Sequence, residues 1–375
     1  MGCGWRNSKA GPASEVREIE KGEQRKFIVI RQKRLQYFQT VKTQPEYTWT
    51  GDNLLELMRG YQEPAVLAAA AELNLFGILA TRRQKATELA EELHCDTRGL
   101  TTLLDALAAI RLVEKCDGAY SIPSGLTTFL TSEGAQSVLA MVQHQANCLR
   151  NWAQLARVVK DGQPASKIPS VRGEAGDRES FIGAMHNVSD PNADQVIQAV
   201  PPQFRHLLDI GGASGTWTIA FLRACPAARA TLFDLPQVIP LARERLAAAG
   251  LREKVRLAAG NFMTDPLPRG ADLAWVSAII HQNSRAQNRE LFAKVFDALV
   301  PGGRIAIRDI LMEDSRTHPA MGTFFALNML VATPGGGTFT FTEICEDLES
   351  AGFPQAAATR RAEDMNSVVV AGKPE

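Results

Sequence analysis

Residues His206–Phe221 read "HLLDIGGASGTWTIAF". A short apolar run ends in an acid, Asp209. A turn with Gly211, Gly212 and Gly215 follows, and then a stretch with helical character. A strand that stops at a glycine turn and opens a helix gathers backbone N–H groups and the positive end of the helix dipole at one point. Such a turn is suited to a small ligand with an anionic end.

The unit is followed by more of its kind. "ARATLFD" precedes a helix expected at Gln237–Ala249, and "KVRLAAG" comes next. "ADLAWVSAII" precedes a helix at Arg285–Leu299, and "GRIAIRDIL" one at Ala320–Leu330. A last helix at Glu343–Ala351 leads into "MNSVVVAGK". Alternating strand and helix predicts an α/β domain, a doubly wound, mostly parallel Rossmann-like sheet with helices on both faces. In such sheets ligands bind beyond the carboxyl ends of the strands, where strand order reverses. Asp234 closes the second strand, 19 residues after Gly215. An acid there accepts hydrogen bonds from both ribose hydroxyls. The ligand therefore has a ribose and an anionic end. A dinucleotide meets that description too, although Asp-Ile-Gly-Gly-Ala-Ser-Gly only approximates the G-x-G-x-x-G fingerprint.

The half in front of Phe204 has a different texture. Asn53–Ala80 shows Ala and Leu at helical spacing. A second helix is expected from Thr87 and a third to Ile110, separated by a turn at "CDT". "LVEKCDGAYSI" then reads as a hairpin with Asp117-Gly118 at its tip. Helix, turn, helix and hairpin make a winged-helix pattern. Its second helix carries Arg98 against Asp96 and Asp105, and the helix before it carries Glu88, Glu91 and Glu92. Acid repels phosphate, so the unit is expected to pack or dimerise and not to bind DNA. Residues 135 to 200 read as further helices, interrupted at "DGQPASKIPSVRGEAGD".

The 375 residues leave room for two domains of roughly 100–200 residues each. Lys+Arg and Asp+Glu number 41 each, so nothing in the charge points to a nucleic-acid partner. Six cysteines are scattered singly, without the paired spacing of a zinc site or disulfide framework. That usage fits a reducing cytoplasm. No apolar run reaches the roughly 18 residues of a membrane span. The first residues lack the apolar stretch of a signal peptide, and Arg6 stands where a myristoylation signal needs Ser or Thr. The expected division is a polar extension over 1–48, a helical winged-helix-like dimerisation domain over 49–178 and a ligand-binding domain over 179–375.

From about residue 53 to 373 the chain resembles the small-molecule O-methyltransferases that use S-adenosylmethionine, the family of caffeic acid and acetylserotonin methyltransferases. "LLDIGGASGTW" is similar to their first motif and "LFDLPQVI" to their ribose-binding segment. "AAGNFMTDPLP" resembles their Gly-Asp-Phe/Met-Phe segment, with Asn261 where Asp is common. "ALVPGGRIAIRDILM" matches the region of the fifth strand, and the winged-helix unit in front matches their dimerisation domain. The resemblance implies S-adenosylmethionine as cofactor, a small hydroxylated acceptor of secondary-metabolite type, and a homodimer without nucleic-acid or membrane partner. Cofactor contacts would come from Asp209 at the methionine ammonium, from Gly211, Gly212 and Gly215, and from Asp234 and Leu235. Asn261 and Phe262 would meet the adenine. Ser277 stands where plant members carry a lysine.

A phenol, with a pKa of about 10, is mostly protonated at neutral pH. A base near neutrality therefore helps, and histidine is the usual choice. His281 lies just beyond the fourth strand of this half, which in a doubly wound sheet neighbours the first. The family's catalytic histidine falls at this position, and Asp309 matches an acid beside it. A second family acid is replaced by Thr338. The acceptor pocket is expected from Met141, Trp152, Phe181, Met185, His186, Phe324, Asn328 and Met329, with His144 a weaker candidate. His206 reads as structural, and His94 and His318 as exposed turn residues. No metal cluster is evident. Three rivals stay open: a relative that methylates N or C or uses the cofactor for decarboxylation or hydroxylation, a nicotinamide oxidoreductase, and a DNA-binding regulator with a nucleotide-like ligand.

Overall fold

The computed structural model describes residues 48–375 except 190, 191, 202 and 213. The polar extension, 1–48, therefore lies almost wholly outside the described residues. The chain divides into two units, one up to Gly60 and one over Tyr61–Glu375. In the first, helix α1 (Gly51–Arg59) starts at a reciprocal cap, with Thr50 Oγ1 accepting from Asn53 N–H and Asn53 Oδ1 accepting from Thr50 N–H. None of its residues is buried within its own unit.

The second unit begins with α2 (Gln62–Glu72) and α3 (Leu75–Thr81). The helical pattern over Asn53–Ala80 is made by three helices. Asn74 takes the left-handed conformation (φ 55°) between the last two, which no continuous helix tolerates. Next come β1 (Gln84–Lys85), α4 (Ala86–Leu93), α5 (Thr97–Ala109), β2 (Glu114–Cys116) and β3 (Ala119–Ser121). The hairpin turns on Asp117 and Gly118, both at positive φ, as a two-residue type I′ loop demands. Strand β1, too short for periodicity to reveal, joins β3 as a third strand of the wing. Asp105 on α5 accepts from Tyr120 Oη and from Lys115 Nζ, both at 2.6 Å. An acid that reads in sequence as a mark against phosphate thus pins helix to wing. Helices α6 (Ser124–Leu130), α7 (Leu139–Trp152), α8 (Leu155–Asp161), α9 (Gly173–Ser189) and α10 (Ala193–Val196) complete the front part. His94 ends α4 in the left-handed conformation and is exposed, as expected; His318 is half-buried, which the expectation of an exposed turn residue missed.

The larger sheet follows: β4 (His206–Ile210), α11 (Thr216–Ala224), β5 (Arg229–Asp234), α12 (Ile239–Ala248), β6 (Val255–Ala259), β7 (Ala271–Ser277), α13 (Arg285–Ala298), β8 (Leu299–Asp309), the short β9 (Leu311–Met312), α14 (Ala320–Ala332), β10 (Phe339–Thr340), α15 (Phe341–Ser350), β11 (Ala357–Arg360) and β12 (Ser367–Gly372). Its order is β11-β12-β8-β7-β4-β5-β6. The five strands from β8 to β6 are parallel; beside them β12 runs antiparallel to β8, and β11 antiparallel to β12. Strand β11 was not expected; "AATR" is four residues long with a single β-branched residue, Thr359, and no large apolar one. His206 opens β4 and bonds Thr231 Oγ1 on the next strand at 2.8 Å, a structural role.

Both sheet faces are covered, so the strands are apolar on both sides. Leu208, Ile210, Val276, Ile305 and Ile307 pack with Leu291, Phe292 and Val295 of α13 and Leu348 of α15. Leu207, Leu273, Trp275, Ala306 and Val368 pack on the other face with Trp217 and Phe221 of α11. Chain order leaves β4 for β5 on one side and returns to β7 on the other. The reversal, and hence the cleft, lies between the carboxyl ends of β4 and β7.

Candidate active site

The glycine turn lies at that reversal. Gly211 (φ 67°) donates its N–H to Phe233 O at 2.8 Å, and a Cβ there would stand 2.6 Å from Ile279 Cδ1. Only glycine meets both conditions. Gly215 caps α11 and donates to Gly212 O at 2.8 Å.

Asp209, one residue before β4 ends, is 1% exposed. Thr218 Oγ1 donates to its Oδ2 at 2.6 Å. Burial, aided by the charge of Asp234, pushes its pKa up to about 7, against the pull of Thr218. Asp234 ends β5, and its Oδ1 accepts from Leu235 N–H at 2.7 Å. Asn261 opens a tight turn: Asp265 Oδ2 accepts its N–H at 2.8 Å, and its own Oδ1 accepts from Met263 N–H at 3.0 Å. Lys294 ties that turn to α13 through the carbonyls of Phe262 and Met263. The ring of Phe262 packs partly into the core.

His281 sits in a single 3-10 turn, Ile280–Gln282, just past β7. It is 6% exposed and Asp309 is 3% exposed. Its Nδ1 lies 2.9 and 3.0 Å from the two oxygens of Asp309. A carboxylate can only accept, so Nδ1 donates to Asp309, and it is Nε2 that carries the lone pair whenever the ring is neutral. Asp309 Oδ1 also accepts from Ile310 N–H at 2.8 Å. The ring of Phe325 meets the imidazole edge-on, 4.8 Å between centroids. Thr338, where the family's second acid was expected, is buried and turns its hydroxyl to Gly322 O at 3.4 Å.

Sequence reasoning missed Arg308. It follows β8 inward and is 2% exposed. Its NH1 donates to Ser277 Oγ at 3.2 Å, Nε and NH2 donate to Asn366 Oδ1, and its guanidinium lies 4.6 Å over the Trp217 ring. Burial pulls its pKa down to about 10, against the charges of Asp309 and Asp364. Next to Asp309 in sequence, it looked like an ordinary strand residue; no spacing marks it.

The acceptor set divides in two. Trp152 Nε1 donates to Asn328 Oδ1 at 2.9 Å across α7 and α14, and the edge of His144 meets Phe181 at 5.2 Å. Burial holds His144 below its usual pKa and raises its neighbour Cys148 to about 11. Phe181 and Phe324 are exposed. Met141 and Met185 are half-buried, and Met329 is fully buried. His186 reaches α11. Its Nδ1 lies 2.9 Å from Thr216 Oγ1 at the start of α11, beside a cavity of about 490 Å³ that Arg223 and Arg245 also line.

Among the described residues no group of three or more His, Cys, Asp or Glu is placed to hold a metal ion, and no single helix is long and apolar enough to cross a membrane.

Comparison with known proteins identifies relatives of this chain. A family model described as an O-methyltransferase domain matches residues 152–354, and one described as an O-methyltransferase dimerisation domain matches residues 55–127. The chain is 33% identical to 3-hydroxy-5-methyl-1-naphthoate 3-O-methyltransferase of Streptomyces sahachiroi, over 85% of this chain and 94% of the relative. It is 32% identical to the tetracenomycin polyketide synthesis 8-O-methyl transferase TcmO of Streptomyces glaucescens, over 82% and 92%. The human N-acetylserotonin methyltransferase, solved in complex with SAM, superimposes with a TM-score of 0.72 at 25% identity, covering 88% of this chain and all of that one.

Proposed function

The chain belongs to the O-methyltransferase family that uses S-adenosylmethionine, and on that premise we propose that it methylates a hydroxyl of a small aromatic acceptor, with His281 as general base and Asp309 orienting it. One observation carries the reading: a buried imidazole bonded through Nδ1 to both oxygens of a carboxylate, at the sheet's reversal beside the glycine turn.

The residues present suit the cofactor. Gly211 and Gly215, both at positive φ, carry the chain from β4 into α11 as bare backbone, which suits close approach of a ligand. Asp209, an acid that burial keeps near neutrality, suits a ligand ammonium that would lower its pKa. Asp234 and Leu235 would hold the ribose end, Asn261 and Phe262 the adenine end, and Ser277, at the end of β7, would stand near the cofactor. When bound, S-adenosylmethionine supplies an electrophilic methyl on a sulfonium. The protein's part is to hold the acceptor in line and to take its proton at His281 Nε2. Asp309 keeps Nδ1 protonated and stabilises the imidazolium that forms, which relieves the lack of an acid at Thr338. Trp152, Asn328, Phe324 and Phe181 would flank the acceptor, where aromatic surface grips a flat molecule. One relative is named for methylating the 3-hydroxyl of a naphthoate and the other for 8-O-methylation in polyketide synthesis, which supports this acceptor class. His186, turned toward Thr216, is assigned to the cofactor side.

We also read the front part, 49–178, as a dimerisation domain and 179–375 as the methyltransferase domain, joined through α9, with a homodimer as the working form. Sedimentation would show the mass of two chains; a monomer at micromolar concentration would remove this part.

The first test is calorimetric titration with S-adenosylhomocysteine and, in parallel, NAD, followed by turnover of 3-hydroxy-5-methyl-1-naphthoate. Binding of the first ligand alone is expected, and His281→Ala should lower kcat by about 10²-fold or more. A small loss in that variant would point instead to an N or C acceptor, which needs no such base.

A further inference from the structure

We propose that Asn283 and Asn288, together with the tight turn at Gly336, form a clamp that sets the orientation of His281, which makes Asn288 and Gly336 positioning residues for proton transfer. The proposal rests on the role given to His281 above.

The 3-10 turn that carries His281 is too short to fix itself. It is entered through Ala278, a non-glycine residue at φ 57°, and within it Asn283 N–H reaches Ile280 O at 3.2 Å. The other restraints come from outside. Asn288, one turn into α13, donates its amide to Ile280 O at 3.0 Å. Its Oδ1 accepts from Asn283 Nδ2 at 3.1 Å. Both amides are buried, with 2% and 5% exposure. From the other side Gly337 donates its N–H to His281 O at 2.9 Å. A Cβ on Gly336 would collide with His281 O and with Thr333 Oγ1. The Thr333 hydroxyl itself accepts from Gly336 N–H at 2.8 Å and donates to Met329 O at 2.8 Å, which closes the turn onto α14.

Buried amides cost stability unless every polar atom is bonded, and asparagine is a poor residue inside a helix. Neighbours on the same helix, Leu291 and Phe292, are apolar and fully buried. An apolar residue at 288 would pack there without leaving a polar group to satisfy on its own side chain. What the asparagine adds is a hold on the carbonyl immediately before His281. Gly336 and Gly337 add a hold on the carbonyl of His281 itself. With Nδ1 fixed by Asp309 as well, the imidazole has little freedom to swing, and Nε2 stays aimed at one point. Proton transfer is sensitive to misplacement on the scale of 1 Å.

The experiment has two arms, both on the full chain. The first needs no acceptor: ¹⁵N-histidine NMR of the protein with S-adenosylhomocysteine. The Nδ1–H of His281, identified by its loss in His281→Ala, should exchange slowly with water in the wild type. It should broaden or vanish in Asn288→Ala and in Gly336→Ala. The second arm measures kcat with 3-hydroxy-5-methyl-1-naphthoate. Each substitution should lower it about tenfold with unchanged affinity for S-adenosylhomocysteine. In the His281→Ala background, assayed at a pH near the phenol pKa of about 10, the same substitutions should cost nothing further, because residues acting through one group are not additive. An unchanged NMR signal in both variants overturns the clamp. So does an equal loss of kcat with and without His281, which is what a purely structural role gives. If Asn288→Ala does not fold, Asn283→Ala and Gly336→Ala carry both arms. If the wild type leaves the naphthoate unmethylated, the acceptor class falls, and the NMR arm still decides the clamp.

Discussion

Two buried carboxyl groups stand near the carboxyl ends of the strands, Asp309 on β8 and Asp209 on β4, with β7 between them. Asp309 is fully engaged: His281 Nδ1 meets both oxygens, Ile310 N–H meets one, and the Arg308 cation is the next residue. Among the described residues only Thr218 donates to Asp209, and its nearest named charge is another acid, Asp234. Similar burial therefore has opposite consequences. One carboxylate has its partners built into the protein, as a preorganised catalytic pair needs. The other is left under-compensated, as a site for a ligand cation needs. The difference separates a group that acts on a reaction from one that waits for a molecule.

Breaking Asp309 should have the largest effect. Asp309→Asn allows the imidazole to be held in the wrong tautomer, so kcat should fall by roughly 10²-fold or more while S-adenosylhomocysteine affinity stays within about twofold. A collapse of affinity with little change in kcat would reverse the assignment of the two acids.

Asp209→Asn should do the opposite. Loss of a charge-assisted hydrogen bond worth roughly 1.5–3 kcal/mol should weaken binding of S-adenosylhomocysteine by about ten- to a hundredfold in calorimetry. The ligand-free variant should be no less stable than the wild type at pH 8. The sign follows from the direction of the shift. The folded-state pKa, about 7, lies above the ordinary value of 3.8. The folded protein holds the proton more tightly, so this group's contribution is full below pH 3.8 and is lost as pH rises through about 7. Thermal melts from pH 4 to 8 should show wild-type stability falling relative to the variant over that window. Saturation with S-adenosylhomocysteine should flatten the difference. Parallel melting curves for the two proteins would show that Asp209 is ionised throughout and needs no ligand cation.

The smallest effect is expected far from both acids. Tyr120→Phe removes one donor to Asp105, which keeps Lys115. A stability loss of about 1 kcal/mol is expected with kcat and affinity unchanged. A loss of turnover there would mean that the front part acts on the site as well as on the fold.

The sheet and the strand-end chemistry were legible in the sequence because each signal is local. Gly211, Asp234, His281 and Asp309 each stand at the junction of an apolar run and a break, and the fold then gathers such junctions at one end. What stayed hidden depends on partners distant in the chain. Asn288 reads as a polar residue on a helix until Ile280 and Asn283 close over it. Arg308 reads as a strand arginine until Trp217 and Asn366 arrive from both sides. His186 could be placed in a pocket by analogy, but only the approach of α9 to α11 turned it to Thr216. Strands β1 and β11 are too short for alternation to show.

Arg308 also ties the site to the order of synthesis. Its stacking partner, Trp217, is made early, but Asn366 and the strand that follows are made last. On the ribosome the parallel sheet from β4 to β8 emerges with its flank at β8 still open. For that interval the guanidinium lacks two of its bonds, and the strand bearing Asp309 lacks its outer neighbour. Maturation of the centre therefore waits on the emergence of β12. A nascent chain released before Ser367 would carry every residue assigned to the reaction and yet present β8 as a bare edge, open to other strands.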